Sequence, residues 1–332
     1  MTARARPRND AARAKAASRK RAERDANLRS RAAARYGKGP LQDRVVSPKT
    51  LRKYIASAKS FFKWLRVNGL ELPAEVVDFD IQITRWVECI YSEGESKSLL
   101  ADALSGLSHL VPALRGKLNA SWRLFHTWRR TEPVKQAPPL SVSMVQCMAG
   151  AFVEQGEFEL AILVLLSHHC ILRTCELLSV RTTDASIVTA GVLLILRETK
   201  VGQRMGVHQE VAVKDRWLVP RFRWLLASRP PGALLLPCTP ALFRRKWVLA
   251  RKRCGLPAAF TPYSLRRGGA TSLFQVCGSF GKVAERGRWT ADKTVRGYVN
   301  RALADLATDS GTIAWSSDAA LLHLLHRLQT KG

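Results

Sequence analysis

The sequence predicts a mainly α-helical protein with one small antiparallel β-hairpin, organised as a helical N-terminal domain followed by an α+β domain. Long stretches place apolar residues at intervals of three and four, the spacing of one helix face. Two apolar runs, 192–197 and 209–213, flank Gly202 and Gly206, which is the pattern of a hairpin. A proline-rich segment, 133–139, indicates a linker between the two domains.

Residues 1–45 form a basic segment with almost nothing to bury. Arg, Lys and Ala dominate it, as in the Ser-Arg-Lys-Arg run at 18–21. This composition predicts a disordered tail, which either has no specific role or acts as a nuclear-import signal or a DNA-binding arm. An organelle transit peptide is a further alternative, against which Asp10, Glu23 and Asp25 count.

The segment 46–132 is predicted to be a bundle of four short helices. Ser47 can cap the first helix, Pro48 suits its first turn, and the Asn68-Gly69 pair ends it. The other helices are predicted over 80–93, 97–112 and 117–128. The last of them mixes aromatic and basic residues, which suits either a DNA-facing surface or a core that contains tryptophan. These residues are Trp122, His126, Trp128, Arg129 and Arg130.

The second domain is predicted over 140–310, followed by a C-terminal helix within 311–332. Apart from the hairpin, its apolar residues follow helical spacing. The predicted helices lie near 141–154, 157–172, 215–228, 239–253, 264–276, 280–286, 291–304 and 318–329.

The chain is strongly basic, with 54 Lys and Arg against 26 Asp and Glu and a formal net charge of +28. Such a chain attracts polyanions, and nucleic acid is the usual one because Lys and Arg displace its condensed counterions. An anionic membrane is the rival partner. The longest apolar run, 160–172, is too short to span a bilayer and contains His168 and His169. We therefore expect a nucleic-acid partner and no membrane segment.

Seven cysteines are scattered along the chain. Their odd number and apolar surroundings favour reduced thiols in an intracellular protein over a disulfide framework. No CxxC pair occurs, and the cluster of His168, His169, Cys170 and Cys175 lies in an apolar helical stretch where packing is the expected role. We expect no metal and no cofactor. We also expect no cleavable secretory signal, because the first residues lack an apolar core.

The second domain contains, in order, the residue types that could cleave a DNA strand without a metal. A nucleophile must attack phosphorus, cations must hold the two non-bridging oxygens, and a general acid must protonate the leaving 5′-oxygen. Arginine suits the clamp because its planar fork matches phosphate oxygens, and lysine can donate the proton. The candidates are Arg173, Glu176, Lys200, Tyr263, Arg266, Trp289 and Tyr298.

Over about residues 47–305 this pattern resembles the tyrosine recombinase (phage integrase) family. The family has an Arg followed three residues later by Glu, as Arg173 is by Glu176, and then a hairpin Lys, which Lys200 matches. A His-x-x-Arg box follows, and its arginine matches Arg266. Each motif alone is weak, whereas their order and spacing together are specific.

The family pattern ends in a His or Trp followed nine residues later by the nucleophile. Trp289 and Tyr298 match it, as in Cre-type recombinases, and the Gly-Arg-Trp form is similar to recombinases of DIRS and Crypton mobile elements. Two residues depart from the pattern. Tyr263 replaces the histidine of the box, and a phenol brings a hydrogen-bond donor but no positive charge. Ile171 stands where a Thr-Gly turn commonly precedes the first arginine.

The resemblance implies a core-binding domain at 46–132 and a catalytic domain at 140–310 that close around DNA. It implies that Arg173 and Arg266 clamp the scissile phosphate, assisted by Tyr263 and Trp289, while Glu176 orients the arginines. Tyr298 would form a 3′-phosphotyrosyl link and Lys200 would act as general acid. Because the bond energy is kept in the phosphotyrosine, neither ATP nor a metal is implied.

The resemblance also implies the partners. These are double-stranded DNA and further copies of the chain in a tetramer, with no small-molecule substrate. The amphipathic segment 319–328 would dock on a neighbouring protomer or on its own domain. We expect a nuclear location if the source is eukaryotic, and the cytoplasm or nucleoid if it is bacterial.

Several alternatives stay open. Arg173 and Glu176 could form an ordinary helix ion pair, and Trp289 and Tyr298 could be core aromatics. Lys214 or Arg204 could replace Lys200. The rival functions are a type IB topoisomerase, a decayed mobile-element protein that binds DNA without cutting it, and a basic RNA-binding or structural protein.

Overall fold

The computed structural model describes residues 10–37, 39–197, 199, 202 and 207–300. The chain divides into two compact units, Met1–Val134 and Lys135–Gly332. Both are mainly helical, and the second contains a three-stranded antiparallel sheet. The predicted fold class is thus confirmed. Lys200, the last ten residues of the predicted catalytic domain and the predicted C-terminal helix lie outside the described residues.

The first helix, α1 (Asp10–Arg35), lies where the sequence predicts a disordered tail. Its side chains from residue 15 onward are all exposed, so this helix packs against no core. The amino-acid composition of this segment favours a helix even without a core. Alanine recurs between its basic residues, and Ala, Arg, Lys and Glu have high intrinsic helix propensity. One exposed ion pair, Arg19 with Glu23 at 3.5 Å, adds a small contribution.

The remaining helices of the first unit form a bundle around an aromatic core. The Ser47 hydroxyl accepts a hydrogen bond from the backbone N–H of Thr50, and Pro48 is the first helical residue, as predicted. The ring of Phe61, which is fully buried, lies 5.5 Å from that of Trp86 between centroids. The helices are α2 (Pro48–Val67), α3 (Val76–Ser92), α4 (Lys97–Leu110) and α5 (Asn119–Thr131).

A buried carboxylate fixes the start of α5. Asp80, on α3, accepts hydrogen bonds from the backbone N–H groups of Ala120 at 2.8 Å and Ser121 at 3.0 Å. These N–H groups have no partner within the helix, and the positive end of the helix dipole favours the negative charge there. The contact therefore orients α5 in the bundle.

The helices of the second unit surround α7, which is apolar on all sides and buried along most of its length. Hydroxyl groups cap three of them, Ser141 at α6, Thr239 at α10 and Ser279 at α12. The helices are α6 (Val142–Glu154), α7 (Phe158–His169), α8 (Thr174–Ser179), α9 (Leu218–Ala227), α10 (Pro240–Arg253), α11 (Tyr263–Cys277), α12 (Phe280–Gly287) and α13 (Asp292–Tyr298).

The sheet has the order β1-β2-β3 and all its strands are antiparallel. The strands are β1 (Ala185–Val188), β2 (Gly191–Leu196) and β3 (Gln209–Val213). β2 pairs with β3 from Val192 opposite Val213 to Leu196 opposite Gln209, so the predicted hairpin is confirmed. β1 was not predicted, because it has four residues and most of them are exposed.

Two glycines bring α11 against the core of the second unit. A Cβ added to Gly268 would lie 2.1 Å from the carbonyl oxygen of Leu140, and one added to Gly269 would lie 2.0 Å from that of His168. Any larger residue would therefore push α11 away from α7. This close approach fixes the helix that carries Arg266 at its first turn.

Candidate active site

Arg173 and Glu176 are joined at the start of α8. The Arg173 backbone N–H donates to Oε2 of Glu176 at 2.8 Å, and its Nη1 donates to Oε1 at 2.5 Å. The Glu176 side chain is 1 % exposed and that of Arg173 is 18 % exposed. The ordinary helix ion pair considered from the sequence is therefore present, and it leaves the Arg173 side chain partly exposed.

Glu176 contacts three arginines. Besides Arg173, its Oε2 accepts a hydrogen bond from Nη2 of Arg288 at 2.8 Å and lies 3.8 Å from Nη1 of Arg266. Burial acts to raise the pKa of Glu176, but the three positive charges and the Arg173 backbone N–H together outweigh it. The pKa of Glu176 therefore lies below its ordinary value, and the carboxylate stays charged.

Arg266 is almost completely buried at the first turn of α11. Its Nη1 donates to the carbonyl oxygen of Ile171 at 2.5 Å, and its Nη2 donates to that of Gly287 at 2.7 Å. Burial, with the nearby charge of Arg173, lowers the pKa of Arg266 to about 10. The Arg266 guanidinium is therefore held rigidly, and another positive charge next to it would be unfavourable.

The neighbouring Arg267 has a different environment. Its Nη1 donates to the side-chain oxygen of Gln136, and it makes no ion pair with Glu176. Adjacent residues on a helix point in different directions, which is why only one of the two can enter the cluster. The structure places Arg266 there, as the sequence pattern predicts.

Trp289 and Tyr298 lie against Arg266. The Arg266 Cζ lies 4.3 Å from the centroid of the Trp289 ring and 5.4 Å from that of Tyr298. The two rings are 4.5 Å apart between centroids. A Cβ on Gly287 would lie 1.8 Å from the Trp289 ring, so only glycine leaves room for the indole. Both aromatics are half-buried.

Tyr263 contacts the candidate nucleophile directly. Its hydroxyl donates a hydrogen bond to the hydroxyl of Tyr298, and the ring centroids are 5.5 Å apart. Burial raises the pKa of Tyr263, the hydrogen bond to Tyr298 raises it further, and the charges of Arg266 and Arg267 oppose the shift. Tyr263 is therefore a neutral donor at physiological pH.

Arg288 is a member of the cluster that the sequence did not predict. It ends α12 with φ 58°, and its guanidinium is buried. Its Nη1 donates to the carbonyl oxygens of Cys170 and Arg286, and its Nη2 to that of Ile171 and to Glu176. The available signal was its place between Gly287 and Trp289 in the motif, but nothing in the sequence shows where its side chain points.

Lys200 lies outside the described residues. The strand that leads towards it ends next to Arg197, whose Nε donates to the buried carboxylate of Asp184. The alternative Lys214 directly follows β3 and is exposed, and Arg204 also lies outside the described residues.

The cluster carries an excess of positive charge. Arg173, Arg266 and Arg288 contribute three charges and Glu176 compensates one, which leaves +2 in a largely buried place. Uncompensated charge in a low-dielectric setting is unfavourable, so the cluster favours an anion. A phosphate bound by the partly exposed Arg173 side chain would satisfy this requirement.

Comparison with solved structures identifies the fold. No protein-family model and no curated protein matches the chain. A lambda integrase dimer bound to a COC′ core site is 17 % identical with a TM-score of 0.53, over 78 % of this chain and 90 % of that one. The Tn1549 transposon integrase in complex with transposon right end DNA is 12 % identical with a TM-score of 0.53, over 84 % and 98 %. This chain has the tyrosine recombinase fold.

A lambda integrase tetramer bound to a Holliday junction is similar to the same degree, with 16 % identity and a TM-score of 0.53 over 78 % of this chain and 74 % of that one. At sequence identities of 12–17 %, these similarities show a shared fold only. Within this tyrosine recombinase fold, six of the seven predicted site residues come together in the second unit. They are Arg173, Glu176, Tyr263, Arg266, Trp289 and Tyr298.

The first unit of this recombinase fold has a basic groove on α5. It has a volume of about 600 Å³ and is open to solvent. The Trp122 ring stacks on His126 at 6.1 Å between centroids, and Arg129 lies over the Phe125 ring. Trp128 is buried in the core, as one of the two alternatives from the sequence holds, and Trp122 is partly buried against the same core. The groove is lined by Asn119, Trp122, Arg123, His126, Arg129 and Arg130.

Among the described residues, no helix is long and apolar enough to cross a membrane. In the same part of the chain, no group of three or more His, Cys, Asp and Glu side chains could hold a metal ion. The imidazole of His168 lies 3.2 Å from the carbonyl oxygen of Leu140, and burial lowers its pKa to about 4.

Proposed function

We propose that this protein is a site-specific DNA recombinase that cleaves and rejoins duplex DNA through a 3′-phosphotyrosyl link to Tyr298. One observation carries the proposal. The guanidinium of Arg266 lies over the ring of Tyr298 and shares the Glu176 carboxylate with Arg173. Residues 93 positions apart in the chain thus form a cationic site beside a phenol.

The proposed step exchanges one phosphate ester for another. The Tyr298 oxygen forms a bond to phosphorus while the bond from phosphorus to the 5′-oxygen breaks. The phenolic proton passes to water, and the 5′-oxygen takes a proton from a general acid, for which the family resemblance indicates Lys200. A 5′-hydroxyl from a partner strand reverses the step by attacking the phosphotyrosine. No bond energy is lost, so no nucleotide cofactor is required.

The other site residues have supporting roles in this proposal. Arg173, whose side chain is partly exposed, binds a non-bridging phosphate oxygen, and the buried Arg266 supplies fixed positive charge. Tyr263 holds the Tyr298 hydroxyl, and Trp289 packs against the Tyr298 ring. Glu176 keeps the arginines in place.

The proposed partners are duplex DNA and further copies of the chain. The excess of basic residues and the groove on α5 support a polyanionic partner. Proteins with this fold have been seen as a dimer on a core site and as a tetramer on a Holliday junction, which supports a tetramer on paired sites. We assign the helical segment 46–132 to DNA binding and 140–310 to catalysis. For a eukaryotic source we propose a nuclear location.

Covalent capture tests the proposal. A suicide duplex with a nick near the scissile phosphate loses the cleaved fragment, so the protein stays attached and resists SDS. We expect an adduct with the wild-type protein and with the control variant Y91F, because Tyr91 is an exposed residue of the first unit. We expect no adduct with Y298F, which should still bind DNA. An adduct formed by Y298F would show that another residue is the nucleophile.

A catalytically decayed DNA-binding protein is a second candidate. Two observations favour it: Tyr263 stands in place of the family histidine, and both Nη groups of Arg266 donate to backbone carbonyls. Binding of duplex DNA without any adduct would support this candidate. Relaxation of supercoiled DNA by the monomer at low concentration would instead indicate a type IB topoisomerase.

A further inference from the structure

Arg288 has no role in the reaction proposed above, yet it is buried in the centre of the site with four hydrogen bonds. We infer that Arg288 is a positioning residue, which holds Glu176 and the Ile171 carbonyl for the phosphate-binding arginines and supplies buried charge that makes the site select a charged phosphate. This inference rests on the proposed function.

Arg288 shares its hydrogen-bond acceptors with Arg266. Both guanidinium groups donate to the carbonyl oxygen of Ile171, Arg266 at 2.5 Å and Arg288 at 3.2 Å. Both also lie next to Oε2 of Glu176, Arg266 at 3.8 Å and Arg288 at 2.8 Å. The closer contact of Arg288 fixes that oxygen, so the position of Arg266 depends on Arg288.

Arg288 also acts on Arg173 through Glu176. Oε2 of Glu176 accepts from Arg288 and from the Arg173 backbone N–H, while Oε1 accepts from Arg173 Nη1. A carboxylate held at one oxygen can rotate only slightly, which limits the direction of the Arg173 side chain. Arg288 therefore positions both proposed phosphate ligands from behind.

Arg288 also contributes to the electrostatics of the site. With Arg288 the cluster has a net charge of +2, and without it the charge is +1. Burial and then the charge of Arg173 lower the pKa of Arg266, and the charge of Arg288 acts in the same direction. An anion between these groups relieves the repulsion, and the relief is larger when Arg288 is charged. The contribution of Arg288 should therefore depend on the charge of the bound phosphate.

The test combines Arg288 variants with a neutral substrate. A suicide duplex with a methylphosphonate at the scissile position lacks one charged oxygen there. We expect R288M to slow single-turnover adduct formation about 10–100-fold on the phosphate substrate, the range for residues that orient functional groups. On the methylphosphonate we expect a much smaller loss. R288K, which keeps the charge, should recover part of the rate.

The control is R296M. Arg296 is exposed on α13 and lies over the Phe280 ring, 4.8 Å from its centroid, away from Glu176. This variant should react like the wild type on both substrates. Thermal unfolding of each variant shows whether it is folded. Should R288M fail to fold, R288Q replaces it, because Gln is neutral but still offers a donor to the Ile171 carbonyl.

Three outcomes would overturn the inference about Arg288. Equal rate losses on the phosphate and the methylphosphonate would show that Arg288 is merely structural and would overturn the inference alone. An unchanged rate in R288M or R288Q would also overturn it. If the wild-type protein forms no adduct on the phosphate substrate, the proposed function fails and the inference with it.

Discussion

The Nη2 of Arg288 donates a hydrogen bond of 3.2 Å to the carbonyl oxygen of Ile171, and these two are the non-glycine residues with positive φ among those described. Their φ angles are 58° and 52°. Such conformations cost about 1–3 kcal/mol each and persist only where the surroundings determine them. In the family pattern a Thr-Gly turn is common at the position of Ile171. The positive φ angle of Ile171 shows why glycine would suit that position.

Burial of the Ile171 side chain offsets the energetic cost of this backbone strain. Its side chain is fully buried in a small apolar cluster with Ala270, Phe274, Val283 and Val295. The carbonyl that this conformation presents accepts from Arg266 as well as Arg288. The strained backbone thus lies at the centre of the candidate site and faces its cations.

Replacing Glu176 with Gln is expected to destabilise the second unit by about 3–5 kcal/mol, because three guanidinium groups lose the carboxylate that they contact. Urea unfolding measures the loss. E159Q is the control: Glu159 pairs with Arg229 at 2.9 Å in a partly exposed place, and its loss should cost less than about 1 kcal/mol. Equal effects of the two substitutions would contradict the role of Glu176.

Acid should remove the contribution of Glu176. Its pKa is lower in the folded protein than in the unfolded chain, so the stabilisation is complete above the ordinary carboxyl pKa of about 4.3. It is lost as the pH falls from there through the lower folded pKa. The unfolding free energy of the wild type should therefore fall more steeply than that of E176Q below about pH 5. Parallel curves would refute the assignment.

Y263F is expected to slow adduct formation about tenfold, since it removes one hydrogen bond to the Tyr298 hydroxyl. The raised pKa of Tyr263 keeps the phenol neutral, so the wild-type rate should show no titration of Tyr263 between pH 7 and 9. Y263H should introduce a transition near the histidine pKa of about 6.5. A pH–rate profile checks both points, and a wild-type transition in that range that Y263F abolishes would contradict them.

G287A is expected to displace the Trp289 ring, which a Cβ would approach to 1.8 Å, and to abolish the adduct. Near-ultraviolet circular dichroism and the trapping assay measure the two effects. G281A is a control on the same helix, because a Cβ there would have an ordinary contact of 3.7 Å with the Ser279 hydroxyl. G281A should fold and react normally; a normal reaction of G287A would show that the indole can move.

Replacing Arg123, Arg129 and Arg130 together with Ala should reduce the salt dependence of DNA binding. If each contacts one phosphate, the slope of log affinity against log salt concentration falls by about 2.7, at about 0.9 per contact. The matched control replaces the same three residues with Lys, which keeps the charges. An unchanged slope in the Ala variant would place the DNA elsewhere.

The site residues that could be predicted from the sequence are those whose type and order along the chain fit the chemistry. Arg173, Glu176, Arg266 and Tyr298 follow a pattern that does not require knowledge of the fold, and the structure brings them together. The direction of Arg288 could not be predicted, because it follows from a left-handed backbone that only the tertiary structure determines. Three points remain predictions. They are the catalytic roles of these residues, the assignment of Lys200 as general acid, and the resemblance to the DIRS and Crypton recombinases.

The boundaries of elements were less predictable than their existence. The last predicted helix of the second domain, 291–304, ends at Tyr298 in the structure. Val299 is extended, and the backbone N–H of Asn300 donates to the Thr271 hydroxyl at 3.2 Å. A contact between segments 29 residues apart thus ends the helix, and no local pattern indicates it.

The close contacts of Gly268 and Gly269 with the core have a consequence for the timing of the proposed cleavage. They anchor the helix of Arg266 to the interior, whereas α13, which carries Tyr298, has only seven residues and packs on a small apolar cluster outside the main core. In the proposed reaction, any signal that delays attack until two DNA sites are paired would therefore act on the segment that carries Tyr298. The anchored arginine would stay in place and be ready beforehand.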